Sequence, residues 1–258
     1  MSRTLIIPDI HADIDRAEAI ICKHGTGCDR AVLLGDYFDA FNDTPADAER
    51  VAKWLVKSVQ DPRRVHLVGN HDLPYLGGAA TAETFMCRGW SIEKHEAARP
   101  ILQDLDLPQL HAAVNCDGWL VSHAGFYSPY LEGRTMGQLL AICQEALARA
   151  FGGTFDPLFA PSRARGFGDH VGGLTWLDWS REFFPVPGWH QIVGHTPSRK
   201  VRAVYSSATV NGNWEFEQEP VAPRIRDRTD FLSMNWCVDT VLRSACIVDG
   251  STFELVWL

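Results

Sequence analysis

Short apolar runs alternate with amphipathic stretches along the first third of the chain. Leu5-Ile6-Ile7, closed by Pro8, is a run that predicts a buried strand. Asp13 then offers a helix cap, Ile14, Ala17, Ile20 and Ile21 repeat at helical spacing, and Gly25 supplies a stop. Ala31-Val32-Leu33-Leu34 predicts a second strand. Thr44-Pro45 opens a second helix whose stripe is Ala48, Val51, Ala52, Leu55 and Val59. Val65-His66-Leu67-Val68 predicts a third strand. Strand, helix, strand, helix, strand is the order of an α/β domain with parallel strands joined by right-handed crossovers.

Beyond that the pattern loosens. Residues 73–117 read as mostly helical, with Ser91 as a cap, breaks at Pro100 and Pro108, and His95 and His111 inside helical stretches. Trp119 to Ser122 returns as a strand, Gly137 to Phe151 reads as a helix, and Gln191-Ile192-Val193 is a further strand. From Gly152 to Gly173 the chain is rich in Gly, Pro, Phe and Arg and has little periodicity. A long irregular segment inside a compact domain is usually functional, so residues 152–190 are expected to shape substrate choice. Residues 199–230 form a poorly legible insertion, in which Asn211-Gly212 predicts a hairpin turn and residues 224–228 a mixed-charge patch. Three strand-like runs close the chain, at residues 236–239, 245–248 and 253–257. No internal repeat interrupts it, so a single domain over residues 1–258 is expected.

Composition narrows the classes. A length of 258 residues suits one large α/β domain, and 46% hydrophobic with 22% charged residues is the balance of a folded protein. The net charge of -8 argues against a global attraction to nucleic acid or anionic membrane. The late arginines are interleaved with Glu215, Glu217, Glu219, Asp227 and Asp230, a solvated mixed surface rather than a basic track. Seven cysteines with no CxxC pair fit reduced thiols better than structural zinc or a disulfide framework. The first apolar run is too short for a signal peptide and no other is long enough to cross a bilayer. A soluble, cytoplasmic protein with no membrane partner is the expectation.

The chemistry gathers at the ends of the predicted strands. Asp9-x-His11, Gly35-Asp36-x-x-Asp39, Gly69-Asn70-His71-Asp72, His123 and Gly194-His195 each follow an apolar run directly. Ligands of open α/β sheets bind beyond the carboxyl ends of strands, so these motifs can converge on one crevice. Carboxylates, an amide and imidazoles suit divalent ions such as manganese, iron, zinc or cobalt. A carboxylate shared by two such ions would hold them roughly 3.5–4 Å apart, close enough to clamp one phosphate.

In this order the motifs resemble the calcineurin-like metallophosphoesterase superfamily. His123-Ala124-Gly125 with Pro129, Gly194-His195-Thr196-Pro197 and Val238-Asp239-Thr240 are most similar to its branch of Ser/Thr protein phosphatases and diadenosine tetraphosphate hydrolases. The resemblance implies a central β-sandwich of two mixed sheets flanked by helices in one domain. It implies two divalent metal ions, manganese first, with iron, zinc, cobalt or nickel as substitutes. Asp9 and His11 would hold the first ion, Asp36 would bridge, and Asn70, His123 and His195 would complete the second site. A hydroxide bridging the ions would attack phosphorus, and His71, oriented and charged by Asp39, would protonate the leaving oxygen. The substrate would be a phosphorylated protein, nucleotide or small molecule, with nucleic acid disfavoured.

Three departures qualify this. Ala40-Phe41 follows Asp39 where the phosphatase branch has Arg-Gly, so an expected phosphate-binding arginine is missing. Arg181, in Trp179-Ser180-Arg181, is the leading replacement, with Arg163 and Arg165 as further candidates. Pro197 stands where the nuclease-like branch carries a second histidine, and Val241-Leu242-Arg243 replaces a Gly-rich turn after Asp239-Thr240. A phosphomonoesterase of protein-phosphatase type is the leading expectation, and a dinucleoside polyphosphate hydrolase of diadenosine tetraphosphate type is the alternative. A non-catalytic phosphate-binding protein ranks below both, because a degenerate member would have lost ligands and every ligand position here is filled.

Overall fold

The computed structural model describes residues 2–105, 107–207, 211–216 and 228–257, with the side chains of 214–216 and 230 outside the description. In chain order the elements begin with β1 (Arg3–Ile7), α1 (Ile14–His24), β2 (Arg30–Leu33), α2 (Pro45–Ser58) and β3 (Arg64–Leu67). The short helices α3 (Leu73–Leu76) and α4 (Ala79–Phe85) lead to α5 (Ile92–Leu102), β4 (Leu110–His111), β5 (Ala113–Cys116) and β6 (Trp119–Ser122). Then come α6 (Ser128–Leu131), α7 (Met136–Phe151), β7 (His190–Val193), β8 (Val201–Ser206), β9 (Asn211–Phe216), β10 (Ser233–Cys237), β11 (Ser244–Asp249) and β12 (Thr252–Trp257).

Local chemistry starts each main helix. The Asp13 carboxylate accepts from the Arg16 amide at α1, and the Ser91 hydroxyl accepts from the Lys94 amide at α5. Thr44 with Asp47 and Thr135 with Gln138 form reciprocal capping boxes at α2 and α7.

Among the described residues, two mixed sheets of six strands form a sandwich, in the orders β12-β11-β1-β2-β3-β4 and β5-β6-β7-β10-β8-β9. Within the first, β1 to β4 run parallel, β11 pairs antiparallel with β1 and β12 antiparallel with β11; within the second, β6, β7 and β10 are parallel. Alternation of side chains along the strands explains why the runs are apolar throughout. Ile6, Val32 and Leu67 face Trp119, Val121, Ile192 and Trp236 in a core between the sheets. Leu5, Ile7 and Leu33 instead join the core under α1 and α2. The outer face of the second sheet is covered by Leu177, Trp179 and Phe183 of the irregular segment, packed on Val193 and Cys237.

Some expectations are corrected. Residues 73–117 are not helical throughout, since β4 and β5 occupy their end and His111 lies in β4. The sequence carried the signal: Cys116 pairs with Trp119 across Asp117-Gly118, both at positive φ (50° and 92°), a two-residue hairpin of the Asp-Gly kind. Pro100 does not break α5, which runs on to Leu102. The β8–β9 hairpin exists, but Asn211 and Gly212 pair with Ser206 and Tyr205 inside β9 rather than forming its turn. Residues 224–227 of the mixed-charge patch lie outside the described residues, whereas Arg228 donates to the Asp117 carbonyl. Among the described residues no helix is long and apolar enough to cross a membrane.

Candidate metal centre and general acid

The carboxyl ends of β1, β2 and β3 in one sheet and of β6 and β7 in the other meet at one edge of the sandwich. They deliver Asp9 and His11, Asp36 and Asp39, Asn70 and His71, His123, and His195 respectively. All of these except His123 line one cavity of about 1370 Å³. The sheets are tied together at this point. Both Asp9 carboxylate oxygens accept from the His195 amide (3.1 and 3.0 Å), and His123 Nδ1 donates to the Leu34 carbonyl (2.8 Å).

That last bond leaves His123 Nε2 as the nitrogen that turns inward. It lies 3.2 Å from Asn70 Oδ1, 3.1 Å from His195 Nδ1 and 3.4 Å from Asp36 Oδ2. Four groups with lone pairs and few protons to share are thus held together in a buried space, the arrangement a cation resolves. A second group shares Asp36: ligand atoms of Asp9, His11 and Asp36 lie within 4.8 Å of one another, as do those of Asp36, His123 and His195. His11 Nδ1 is on the Phe38 carbonyl (3.1 Å), leaving Nε2 3.7 Å from Asp36 Oδ2. Each set of carboxylate and imidazole donors suits a divalent cation, and Asp36 belongs to both sets.

Without a cation, protons carry the charge balance. Burial raises the Asp9 carboxyl to about 7 against the pull of His123. Burial would also raise Asp36, yet the imidazoles of His123 and His71 hold it well below the usual carboxylate range. Burial lowers His123, but Asp36 and Asp9 outweigh it and lift the imidazole to about 9. His195 is pushed well down by burial and by His123 beside it.

Close approach sets the backbone. A Cβ on Gly69 would run into Asp36 Oδ1 and His123, and one on Gly194 into Asp9 Oδ1. His11, Asp36, Asp39 and His195 all adopt φ between 44° and 64°, a concentration of left-handed non-glycine residues typical of functional sites.

His71 stands beside this centre. Its backbone N–H donates to Asp36 Oδ1 (2.9 Å), its Nδ1 lies 3.0 Å from Asp39 Oδ2, and its ring meets that of His11 edge-on at 5.2 Å. Burial would lower this imidazole, but Asp36, the Asp39 bond and Cys87 raise it well above its ordinary value. Asp39 is fixed from its other oxygen, which accepts from Tyr75 (2.6 Å) and Lys94 (2.7 Å), and Lys94 also reaches Asp43 (2.9 Å). Asp72 points away from the centre. Its carboxylate accepts from the amides of Asp36, Tyr37 and Gly69 (2.8, 2.7 and 2.8 Å), locking the β2 and β3 exit turns together.

The three candidate arginines separate. Arg165 lines the cavity and donates to the Thr196 hydroxyl (3.0 Å). Arg181 donates to the Ala164 carbonyl (2.6 Å) and Arg163 lies 3.9 Å from Glu182; neither lines the cavity. Arg88, which no motif marks, does line it, as do Lys94, Phe41, Phe167, Trp176 and Asp239. Asp239 is buried next to Asp9 and raised by burial to about 7.

A family model for calcineurin-like phosphoesterases matches residues 2–207, most of the chain. The chain belongs to that family. This calcineurin-like family member is also similar, at low identity, to solved structures. One, a protein assigned as a diadenosine tetraphosphatase, is 14% identical, with 99% of this chain and 93% of that chain covered and a TM-score of 0.44. Another is a Saccharomyces cerevisiae Ser/Thr phosphatase similar to human phosphatase PP5, at 13% identity, 100% and 80% coverage and a TM-score of 0.46. No curated protein matches the chain. Family membership rests on the sequence match, and it identifies a hydrolase class acting on phosphoester bonds.

Proposed function

We propose that this phosphoesterase is a dinuclear metal-dependent phosphomonoesterase of protein-phosphatase type. The observation that carries the proposal is the meeting of His123 Nε2, His195 Nδ1, Asn70 Oδ1 and Asp36 Oδ2 beside a fixed His71–Asp39 pair at an open cavity. Asp9, His11 and Asp36 would hold one divalent ion, and Asp36, Asn70, His123 and His195 the other, with manganese the expected metal. Bound ions would act as Lewis acids toward a phosphoryl group and lower the barrier to attack by water.

The chain's own residues supply the rest. His71 Nδ1 is engaged by Asp39, so Nε2 is the atom that gives a proton to the departing oxygen. Asp39 keeps that imidazole cationic and fixed in rotation, and Tyr75 and Lys94 keep Asp39 from turning. Arg88 and Arg165, the latter also paired with Asp178 (3.3 Å), line the cavity and are the cations proposed to draw in a phosphate dianion. Residues 152–190, which bring Arg165, Phe167 and Trp176 to the cavity, are proposed as the substrate-selecting region.

One observation favours the dinucleoside polyphosphate reading. Phe41 is 91% exposed, and Phe167 and Trp176 also line the cavity, giving apolar surfaces on which planar bases can stack. The deciding experiment assays a phosphopeptide, diadenosine tetraphosphate and nitrophenyl phosphate on protein loaded in turn with manganese, zinc, iron and magnesium. Phosphopeptide or nitrophenyl phosphate turnover dominating supports the monoesterase. Turnover of diadenosine tetraphosphate alone transfers support to the second reading, and inactivity on all three defeats both.

A further inference from the structure

Cys87 belongs to no motif, yet its Sγ lies 3.4 Å from His71 Nδ1, on the side of the ring that also faces Asp39. Ligand atoms of Asp39, His71 and Cys87 all lie within 4.8 Å of one another, a third group apart from the two around Asp36. We propose that this trio is an inhibitory site for a thiophilic divalent cation, zinc in particular, which takes His71 away from its role as proton donor.

The distances favour it. Tetrahedral zinc with bonds of about 2.1 Å to N and O and 2.3 Å to S spaces its ligands about 3.4 Å (N to O) and 3.6 Å (N to S) apart. The observed separations are 3.0 Å and 3.4 Å, so the side chains need move only a few tenths of an ångström. Asp39 can serve both tasks, since Tyr75 and Lys94 occupy Oδ1 and leave Oδ2 for the metal. A thiolate with an imidazole selects zinc or cadmium over manganese, whereas the ligands around Asp36 are oxygen and nitrogen only. The route in is the cavity, which His71, Asp39 and Arg88 line.

Charge and protons balance. The cation displaces the Cys87 thiol proton and the proton on His71 Nδ1, releasing two protons to solvent; thiolate and carboxylate then neutralise the ion. With the metal on Nδ1, the ring no longer carries the imidazolium charge that makes Nε2 acidic. The inhibitory consequence rests on the proposed role of His71, while binding at the trio does not.

The test separates the two. Manganese-loaded protein with Cys22 and Cys28 replaced by serine, which removes the more accessible thiols, is titrated with cadmium chloride and followed by the ultraviolet cadmium–thiolate band. In parallel, its phosphoesterase rate is measured against added zinc. We expect one cadmium per chain with a thiolate band, abolished by Cys87→Ala and by Cys87→Ser. We also expect the zinc concentration for half-inhibition to rise at least about tenfold in both variants, each compared with its own zinc-free rate. Absence of the band, or its survival in both Cys87 variants, overturns the site. Equal zinc inhibition with and without Cys87 overturns the inhibitory role and assigns inhibition to the ions around Asp36. Protein inactive on every phosphoester defeats the functional reading while the cadmium band still decides the site.

Discussion

At the scale of single residues, the groups at the centre have separable proposed roles. His71 contributes no ligand atom to either group around Asp36, so His71→Asn is expected to retain both metals and to slow turnover by about 10²–10⁴-fold. The loss should be smallest for nitrophenyl phosphate, whose leaving group needs little protonation. Steady-state rates on good and poor leaving groups, with metal content by elemental analysis, check this, and a full rate on an alkyl ester removes His71 from the mechanism. Asp36→Asn and His123→Ala would act on the proposed metal site instead. Asp36 is common to both groups and His123 Nε2 touches three other ligands, so each variant is expected to lose bound metal and turnover together. Retention of two equivalents of metal would count against the assignment. The proposed ligand residues were legible in sequence because each sits within four residues of a strand end, where local spacing dictates position. Lys94, Tyr75, Cys87 and Arg88 were not. Lys94 reaches Asp39 across 55 residues of chain, and only the packing of α5 on α2 sets that contact.

At the scale of elements, the exit turns of β2 and β3 depend on one buried carboxylate. Asp72 is fully buried and takes three backbone N–H groups, so removing its carboxylate leaves those donors without their partner. Leaving a buried donor unsatisfied costs about 1–3 kcal/mol, so Asp72→Ala should destabilise the fold by about 3 kcal/mol or more. Asp72→Asn, which keeps one acceptor oxygen, should lose less. Urea unfolding of metal-free protein measures both, and a loss below about 1 kcal/mol for Asp72→Ala would show that the turns hold without it. Helix starts were readable at this scale because caps are local: Asp13, Thr44 and Ser91 all act within three residues. β4 and β5 were hidden by residues 110–116, whose alanines and histidine suit a helix equally well. Pairing with β3 and β6 overrides that propensity.

For the whole molecule, the centre links stability to pH and to metal. His123 is lifted from 6.5 to about 9, so it binds a proton in the folded state that the unfolded chain releases near 6.5. Its contribution is therefore complete below 6.5 and is lost as pH rises through about 9; His71, also raised, acts in the same direction. His66 and His190 are held down to about 3 and 4 by burial and oppose this only below 6.5, where the unfolded chain protonates them. Metal-free protein should consequently lose thermal stability between pH 6.5 and 9. Cations bind the neutral imidazole and the ionised Asp9, so the rise in Tm on adding manganese should grow over the same interval. Thermal scans with and without manganese at pH 6.5, 7.5 and 8.5 test this. An increment that stays constant or shrinks would mean that these protons are not what the metal displaces.

The order of apolar runs and the polar residues that end them determined, without tertiary information, an α/β chain with ligand-type residues at successive strand ends. Both follow from local rules: alternation along a strand, spacing along a helix, and the short reach of a cap or turn. Tertiary structure decided that those strand ends belong to two facing sheets rather than one. The centre therefore forms where β1 to β3 confront β6 and β7, tied by the Asp9 and Leu34 hydrogen bonds. It also decided which arginines see the cavity, because the irregular segment carries no periodicity to aim a side chain. Packing turned Arg165 inward and left Arg181 on Ala164. And it set Cys87 beside His71, a contact between two turns 16 residues apart that nothing in their local sequence encodes.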